Sequence, residues 1–302
     1  MALKDIKMKI QATKRMHTVT RAMEAVSAVK MRKTQANAFA GRPYARAALA
    51  ILARLSGSQG VGNHPLSTTR EVKKTALVII TSDKGLAGGL NSSVIKAAVT
   101  AIADLPKESV VVYAYGKKGE EFFKRREYTV VRALENKRDD IPLSVMSELS
   151  AELSEGFLAG EFDQVLAVYN NFKSTFEQLP TTRTLLPLSL EALSMLVEDI
   201  QPARGKWSDS VSMESPASYE VEPSADEVLD ILVPRLVAVS LYHMLLESKA
   251  SEHSARMVAM KNASDKSKEV TRDLTRRYNK VRQAAITREV SEIVSGREAL
   301  AT

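Results

Sequence analysis

Between Ser224 and Gly296 the chain contains no glycine, and its one proline there is Pro234, about two turns in. Glycine and proline are the residues that interrupt helices, so a stretch this long without them dictates a continuous rod. Ser224 with Glu227 three residues on reads as a capping box that starts it, directly after Pro223. Steps of three and four then link Leu229, Leu232, Leu236, Val239, His243, Leu246, Ala250, His253, Met257, Met260, Ser264, Ser267, Thr271, Leu274, Tyr278, Val281 and Ala285. This is a heptad seam whose middle is poor in large apolar residues. About 70 helical residues at roughly 1.5 Å each make a rod on the order of 105 Å. No globular core encloses such a rod, so it must pair with another helix or with partners.

The N-terminus supplies a candidate. Its first ~55 residues are rich in Ala, Lys, Arg and Met, good helix formers, with no proline before Pro43. Leu3, Ile6 and Ile10 begin an apolar stripe, which Met16, Val19, Met23 and Val26 are expected to continue. Small residues (Ala22, Ala25, Ser27, Ala28) permit another helix to approach closely. "AGRPYA" at 40–45 is expected to bend this helix, and the loop "SGSQGVGNHP" at 56–65 to end it. The periodicity alone fits a dimerising coiled coil as well as an intramolecular pair. Two long basic helices at opposite ends of one chain favour the antiparallel intramolecular pair. The C-terminal helix is the longer, so its end should protrude, with Ile286, Val290, Ile293 and Leu300 requiring another protein around them.

The middle of the chain alternates differently. "TALVIITS", "SVVVYAYG", "YTVVRAL", "FDQVLAVYNNF" and "TRTLLPLSL" read as strands. "NSSVIKAAVTAIADL", "KKGEEFFKRR" and "SVMSELSAELSEGFLAG" read as the helices between them. Strand–helix alternation predicts a Rossmann-like α/β domain with a largely parallel sheet. A polar connector at 201–223 follows. The expected fold is therefore α/β, with a long antiparallel two-helix coiled coil built from both termini. The division is residues 1–60 for the N-terminal helix, 70–200 for the α/β domain, 201–223 for the connector and 224–302 for the C-terminal helix.

Charge is distributed unevenly. Residues 1–54 carry a net +10 and residues 249–302 a net +5, which leaves −8 for residues 55–248 of a total of +7. Basic ends call for an acidic protein surface, nucleic acid or anionic lipid. The basic segments hold few aromatics (Phe39, Tyr44, Tyr278) and no nucleic-acid reading module, so a basic coiled coil on nucleic acid is the alternative reading. No apolar run of the roughly 18–20 residues that span a bilayer is expected, and "MALKDIKMKI" has no secretory core. The chain has no cysteine, which excludes disulfides and thiolate metal sites.

One segment, "VIITSDKGLAGGLNSSVI" at 78–95, has the strand, glycine-rich turn and helix of a phosphate-cradling loop. A P-loop needs Gly, four residues, then Gly-Lys-Ser/Thr, so that lysine meets phosphate and the hydroxyl holds magnesium. Gly89 is instead followed by Leu90 and Asn91, and "YGKKGEE" also fails the spacing. Gly85, Gly88 and Gly89 are expected to make a tight turn and to allow close backbone packing. His17, His64, His243 and His253 are not expected to hold zinc, and His243 and His253 should pack or hydrogen-bond on the seam. No catalytic triad stands out. No cofactor and no catalytic residue are expected.

Both ends and the central loop resemble the γ subunits of F-type ATP synthases. The resemblance rests on "LKDIKMKIQATKRMHTVTRAMEAVSAVKMRKTQ", on "TSDKGLAGGLN", on "EPSADEVLDILVPRL" and on the long block from "LLESKASEHSARM" to "EVSEIVSG". Residues 105–200 match loosely. The resemblance implies a non-catalytic rotor shaft inside a hexamer of α and β subunits. It implies a foot that meets the ε subunit and the membrane c-ring, with proton or sodium flow driving rotation. It implies no nucleic-acid partner and no direct membrane insertion.

By the same resemblance, Arg282 and Gln283 match a pair that contacts a β-subunit loop, with Thr287 and Glu289 further along the helix. Met23 and Arg256 match coupling positions, and Asp83, Lys84, Gly85, Gly88 and Gly89 form the foot-domain loop. Ala87 stands where many relatives have Cys, and Lys261 where Asp is common. The cysteine pair of the redox-regulated chloroplast form is missing. The implied location is the cytoplasmic face of the bacterial plasma membrane, or the matrix side of the mitochondrial inner membrane.

Overall fold

The computed structural model describes residues 3–40, 64–139, 141–189 and 224–301. The Pro43 bend, the Gly/Ser loop up to residue 63 and the 201–223 connector lie outside the described residues. The chain divides into two units: Met1–Ser27 with Arg256–Thr302, and Ala28–Ala255.

The larger unit is built on five strands: β1 (Thr75–Ile80), β2 (Val110–Tyr115), β3 (Thr129–Leu134), β4 (Gln164–Ser174) and β5 (Glu177–Leu186). Their order is β3-β2-β1-β4-β5. Thr75 sits opposite Val110 on one side and Gln164 on the other, both pairings parallel, and β2 pairs β3 in parallel. β5 returns antiparallel on β4. β1 is buried at all six positions, the continuous apolar run of a central strand covered on both faces. Its alternate residues serve two cores. Leu77 and Ile79 meet Val94, Ala98, Val112, Phe123 and Val168. Ala76, Val78 and Ile80 meet Met146, Leu153 and Phe157 on the other face.

The helices fall where the apolar spacing puts them: α1 (Leu3–Ala40), α2 (Leu90–Ala101), α3 (Lys117–Arg125), α4 (Leu143–Ala159) and α5 (Ala225–Ala301). Ser224 Oγ accepts from the Glu227 N–H at 3.2 Å, the cap that begins α5. The first turns of α5 (Leu229, Val233, Leu236, Val237, Leu241, Leu245) belong to the same core as α4. One 18-residue stretch of α5 is, contrary to expectation, long and apolar enough to cross a membrane by length and composition. More than half of it is buried inside the protein, as in the core helix of a soluble domain.

The smaller unit holds the beginning of α1 and the end of α5. Met260, Ser264 and Ser267 are buried along α5, on the seam that the periodicity predicted. The stripe on α1 needs correction. Leu3, Ile6 and Ile10 are at least partly buried, but the buried row continues through Thr13, His17, Thr20, Glu24 and Ser27. Met16, Val19 and Val26 are 60%, 57% and 54% exposed. The step from Ile10 to Met16 breaks the three-and-four rhythm, whereas Thr13 and His17 keep it. Geometry, and not side-chain apolarity, sets which face is buried. His17 Nδ1 lies 3.0 Å from Ser264 Oγ and 3.1 Å from the Ser264 carbonyl. Further along α1, Lys30 meets Asp139, as does His253 from further back along α5, so the helices run antiparallel. The seam ends sooner than the periodicity implied, since Val281 and Ala285 are exposed.

Gly116 follows β2 with φ +105°, and a Cβ there would lie 2.0 Å from the Thr81 carbonyl oxygen. Gly116→Ala combines a strained backbone with that overlap and should cost at least about 2 kcal/mol in urea unfolding of the isolated chain.

Candidate functional site

The segment after β1 is a cap made by side chains. The Asp83 carboxylate accepts the Lys117 N–H at 2.9 Å and the Asn136 N–H at 3.0 Å. Thr81 Oγ1 accepts the Gly119 N–H at 2.9 Å and donates to the Gly116 carbonyl at 3.2 Å. Asn91, in the first turn of α2, accepts from the Ser82 N–H at 3.0 Å and donates to Ser82 Oγ at 2.8 Å. Free amides at a helix N-terminus are what bind a phosphate. Here Asp83 and Thr81, from the turn after β1, take two amides at the start of the neighbouring α3, whereas α2 itself begins at Gly89 without a side-chain cap. Gly88 has φ +59°, which glycine adopts without strain. Close packing, however, is not the role of these glycines: a Cβ on Gly85, Gly88 or Gly89 would meet nothing within 4 Å. Close packing falls to Gly116 and Gly119 of "YGKKGEE", the segment set aside in the sequence.

Doubly wound sheets bind ligands beyond the carboxyl ends of their strands, where the winding reverses, here between β1 and β4. In this protein α5 lines that edge. Lys249 Nζ, 2% exposed, donates to the Asn136 carbonyl at 2.8 Å, and Ser251 Oγ to the Asn170 carbonyl at 3.2 Å. Glu247 accepts the Phe172 N–H at 2.9 Å, and Ser254 Oγ donates to the Thr175 carbonyl at 2.6 Å. His253 Nε2 lies 2.8 Å from Asp139 Oδ1, and Lys30 Nζ lies 2.7 Å from Asp139 Oδ2. His243 and Glu247, four residues apart, are 3.5 Å apart, a pairing the sequence reading passed over. Among the described residues there is no cluster of His, Cys, Asp and Glu able to hold a metal. Asn136 and Asp139 were not singled out in the sequence. Their signal was the helix segment "ESKASEHS", which offers polar groups on every side and so must be met by polar loops.

Of the residues carried by resemblance, Arg256 is buried and Met23 half-buried. Arg282, Gln283, Thr287 and Glu289 are all exposed, and Thr287 Oγ1 donates to the Gln283 carbonyl at 3.0 Å. Beside them Ile286, Val290 and Ile293 are 50%, 53% and 72% exposed. Leu300 has its side chain outside the described residues, and Lys261 is exposed. In the larger unit Asp83 is half-buried, while Lys84, Gly85, Gly88 and Gly89 are exposed.

Two long terminal helices with a doubly wound sheet inserted between them in sequence define a two-helix protein with an α/β domain. Its sequence matches the ATP synthase family profile over residues 2–300. It is 42% identical over 302 residues to the ATP synthase gamma chain of Roseiflexus castenholzii, covering 99% of this chain and 98% of that one. With the gamma chain of Heliobacterium modesticaldum it shares 38% over 301 residues, covering 99% of each. The central stalk and c-ring structure of the Tetrahymena thermophila mitochondrial ATP synthase contains a similar chain. That chain gives a TM-score of 0.61 at 26% identity, over 82% of this chain and 99% of that one. A rotor chain of the Euglena gracilis mitochondrial enzyme shares the fold, with a TM-score of 0.63 at 17% identity over 94% of this chain and 98% of that one. The chain belongs to the ATP synthase gamma-chain family.

Burial pushes the His253 pKa below its ordinary 6.5, although Glu252 and Asp139 pull it upward and Lys249 adds to the lowering. Burial alone would raise the Asp139 carboxyl, but Lys30 and His253 outweigh it and hold the group below its ordinary value. A neutral His253 therefore donates its Nε2 proton to Asp139. Below about pH 6.5 the unfolded chain takes up a proton at this imidazole that the folded chain resists, so stability falls on acidification. Thermal melts should show a lower Tm at pH 5.5 than at 7.5. The difference should shrink in His253→Gln and keep a remainder from His64, whose pKa burial also lowers.

Proposed function

We propose that this chain is the rotor of an F-type ATP synthase, coupling proton or sodium flow across a membrane to ATP synthesis and hydrolysis by rotation. The observation that carries the reading is the end of α5. From Val281 to Arg297 every residue is exposed, and Ile286, Val290, Ile293 and Val294 form an apolar row with no cover among the described residues. An apolar row of that length calls for a surrounding protein. A hexamer of α and β subunits supplies it, with acidic β-subunit surfaces facing the Lys and Arg of the shaft. Exposed ion pairs worth roughly 0–1 kcal/mol suit a shaft that must meet three β subunits in turn.

In this reading residues 1–60 and 224–302 form the shaft, 70–200 the foot and 201–223 a connector. The foot meets the ε subunit and the c-ring; the Tetrahymena structure holds a central stalk together with a c-ring. ATP chemistry belongs to the hexamer, and this chain is non-catalytic by itself. The location is peripheral on the cytoplasmic face of a bacterial plasma membrane, in keeping with the bacterial relatives. Met23, Arg256, Arg282, Gln283, Thr287 and Glu289 make the coupling contacts.

Co-expression with α and β subunits should yield a stoichiometric complex. Salt-sensitive DNA retention by the chain, without copurification, would favour the nucleic-acid reading. In the reconstituted complex, replacing Arg282 and Gln283 together with Ala should lower ATP-driven proton pumping per ATP hydrolysed. Unchanged coupling would remove both residues from the mechanism.

A further inference from the structure

We infer that the loop between β3 and α4 fastens both terminal helices to the sheet, and that Asp139 is a positioning residue for torque transfer. The inference rests on the rotor reading. Within the larger unit, a rotor's sheet must turn the helices without slipping past them, and a slip at this joint separates hydrolysis from pumping.

One short loop makes the joint. Asn136 is held from below by the Asp83 carboxylate on its N–H and by its own amide donating to the Thr81 carbonyl at 2.6 Å. Its carbonyl receives Lys249 of α5. Three residues on, Asp139 uses its two oxygens on two different helices: Oδ1 on His253, one turn beyond Lys249 on α5, and Oδ2 on Lys30 of α1. The same loop thus grips α5 at successive turns and reaches α1 through a single carboxylate. The apolar core already holds the start of α5 against the sheet through Leu229, Val233 and Leu241. Asp139 adds the link to α1, and deleting its side chain removes that link and the His253 contact at once, while Lys249 and the core still hold α5.

The node is also placed so that it can be tested. Asp139 is 23% exposed and Lys30 45%, so removing the carboxylate leaves Lys30 in contact with water and strands no charge in the core. His253 is neutral, so there the loss strands an imidazole N–H and not a charge.

The experiment uses the whole synthase reconstituted in vesicles, measuring ATP hydrolysis and ATP-driven proton pumping side by side. Asp139→Ala should assemble and hydrolyse ATP while pumping per ATP falls about two- to fivefold, the scale of one lost ion pair of this exposure. Asp139→Glu should restore the ratio, and Lys30→Met should lower it in the same direction. If Asp139→Ala does not assemble, Asp139→Asn, which keeps the shape and drops the charge, is read by the same criterion. An unchanged ratio overturns the proposal. So does a parallel fall of hydrolysis and pumping that Glu does not restore, since that marks a purely structural role. A wild-type chain that supports no pumping overturns the rotor reading itself.

Discussion

From His243 to Ser254, α5 is buried at every position, although the segment carries Glu247, Lys249, Glu252 and His253. A helix closed in on all sides has no solvent face on which to place charge, and a buried charge without partners is costly. Each neighbouring segment, loop or strand end, is therefore fixed by what it must offer. Asn136 and Asn170 present carbonyls, Phe172 presents an amide, and Asp139 presents a carboxylate. The carboxyl edge of the sheet, the customary place for a nucleotide in this topology, is shaped around a helix. A fold that elsewhere holds a ligand here holds its own chain.

That constraint explains which parts of the molecule were legible in the sequence. The strands were, because β1 and β2 are short runs rich in β-branched residues and almost wholly buried, the signal of a central strand. α5 was, because between Pro234 and Gly296 no residue in it interrupts a helix. The buried face of α1 was misread beyond Ile10, since Met16 and Val19 looked like core while the true row is Thr13, His17 and Thr20. Apolarity marks burial where a core is apolar, and it fails where two helices approach through small and polar groups. The Asp83 loop was legible as a strand-to-helix turn. Its partners were not, because Lys117 and Asn136 are reached through backbone amides, which any residue type carries.

The seam of the smaller unit follows the same logic. Thr20 Oγ1 bonds the Met16 carbonyl at 2.9 Å, and Thr271 Oγ1 bonds the Ser267 carbonyl at 2.8 Å. These hydroxyls are satisfied inside their own helices. The His17 contact with Ser264 is an exception that joins the two.

α5 is one uninterrupted helix of 77 residues, yet its backbone hydrogen bonds sit in very different surroundings. Near Leu241 and Leu245 they are enclosed by the apolar core, and past Val281 they stand in solvent. Local opening therefore costs close to the global unfolding energy at one end and little at the other. Amide exchange along this single helix would trace a gradient of protection that secondary structure alone does not reveal. A continuous helix need not be a uniform material, and here its far end lacks the enclosure that stiffens its beginning.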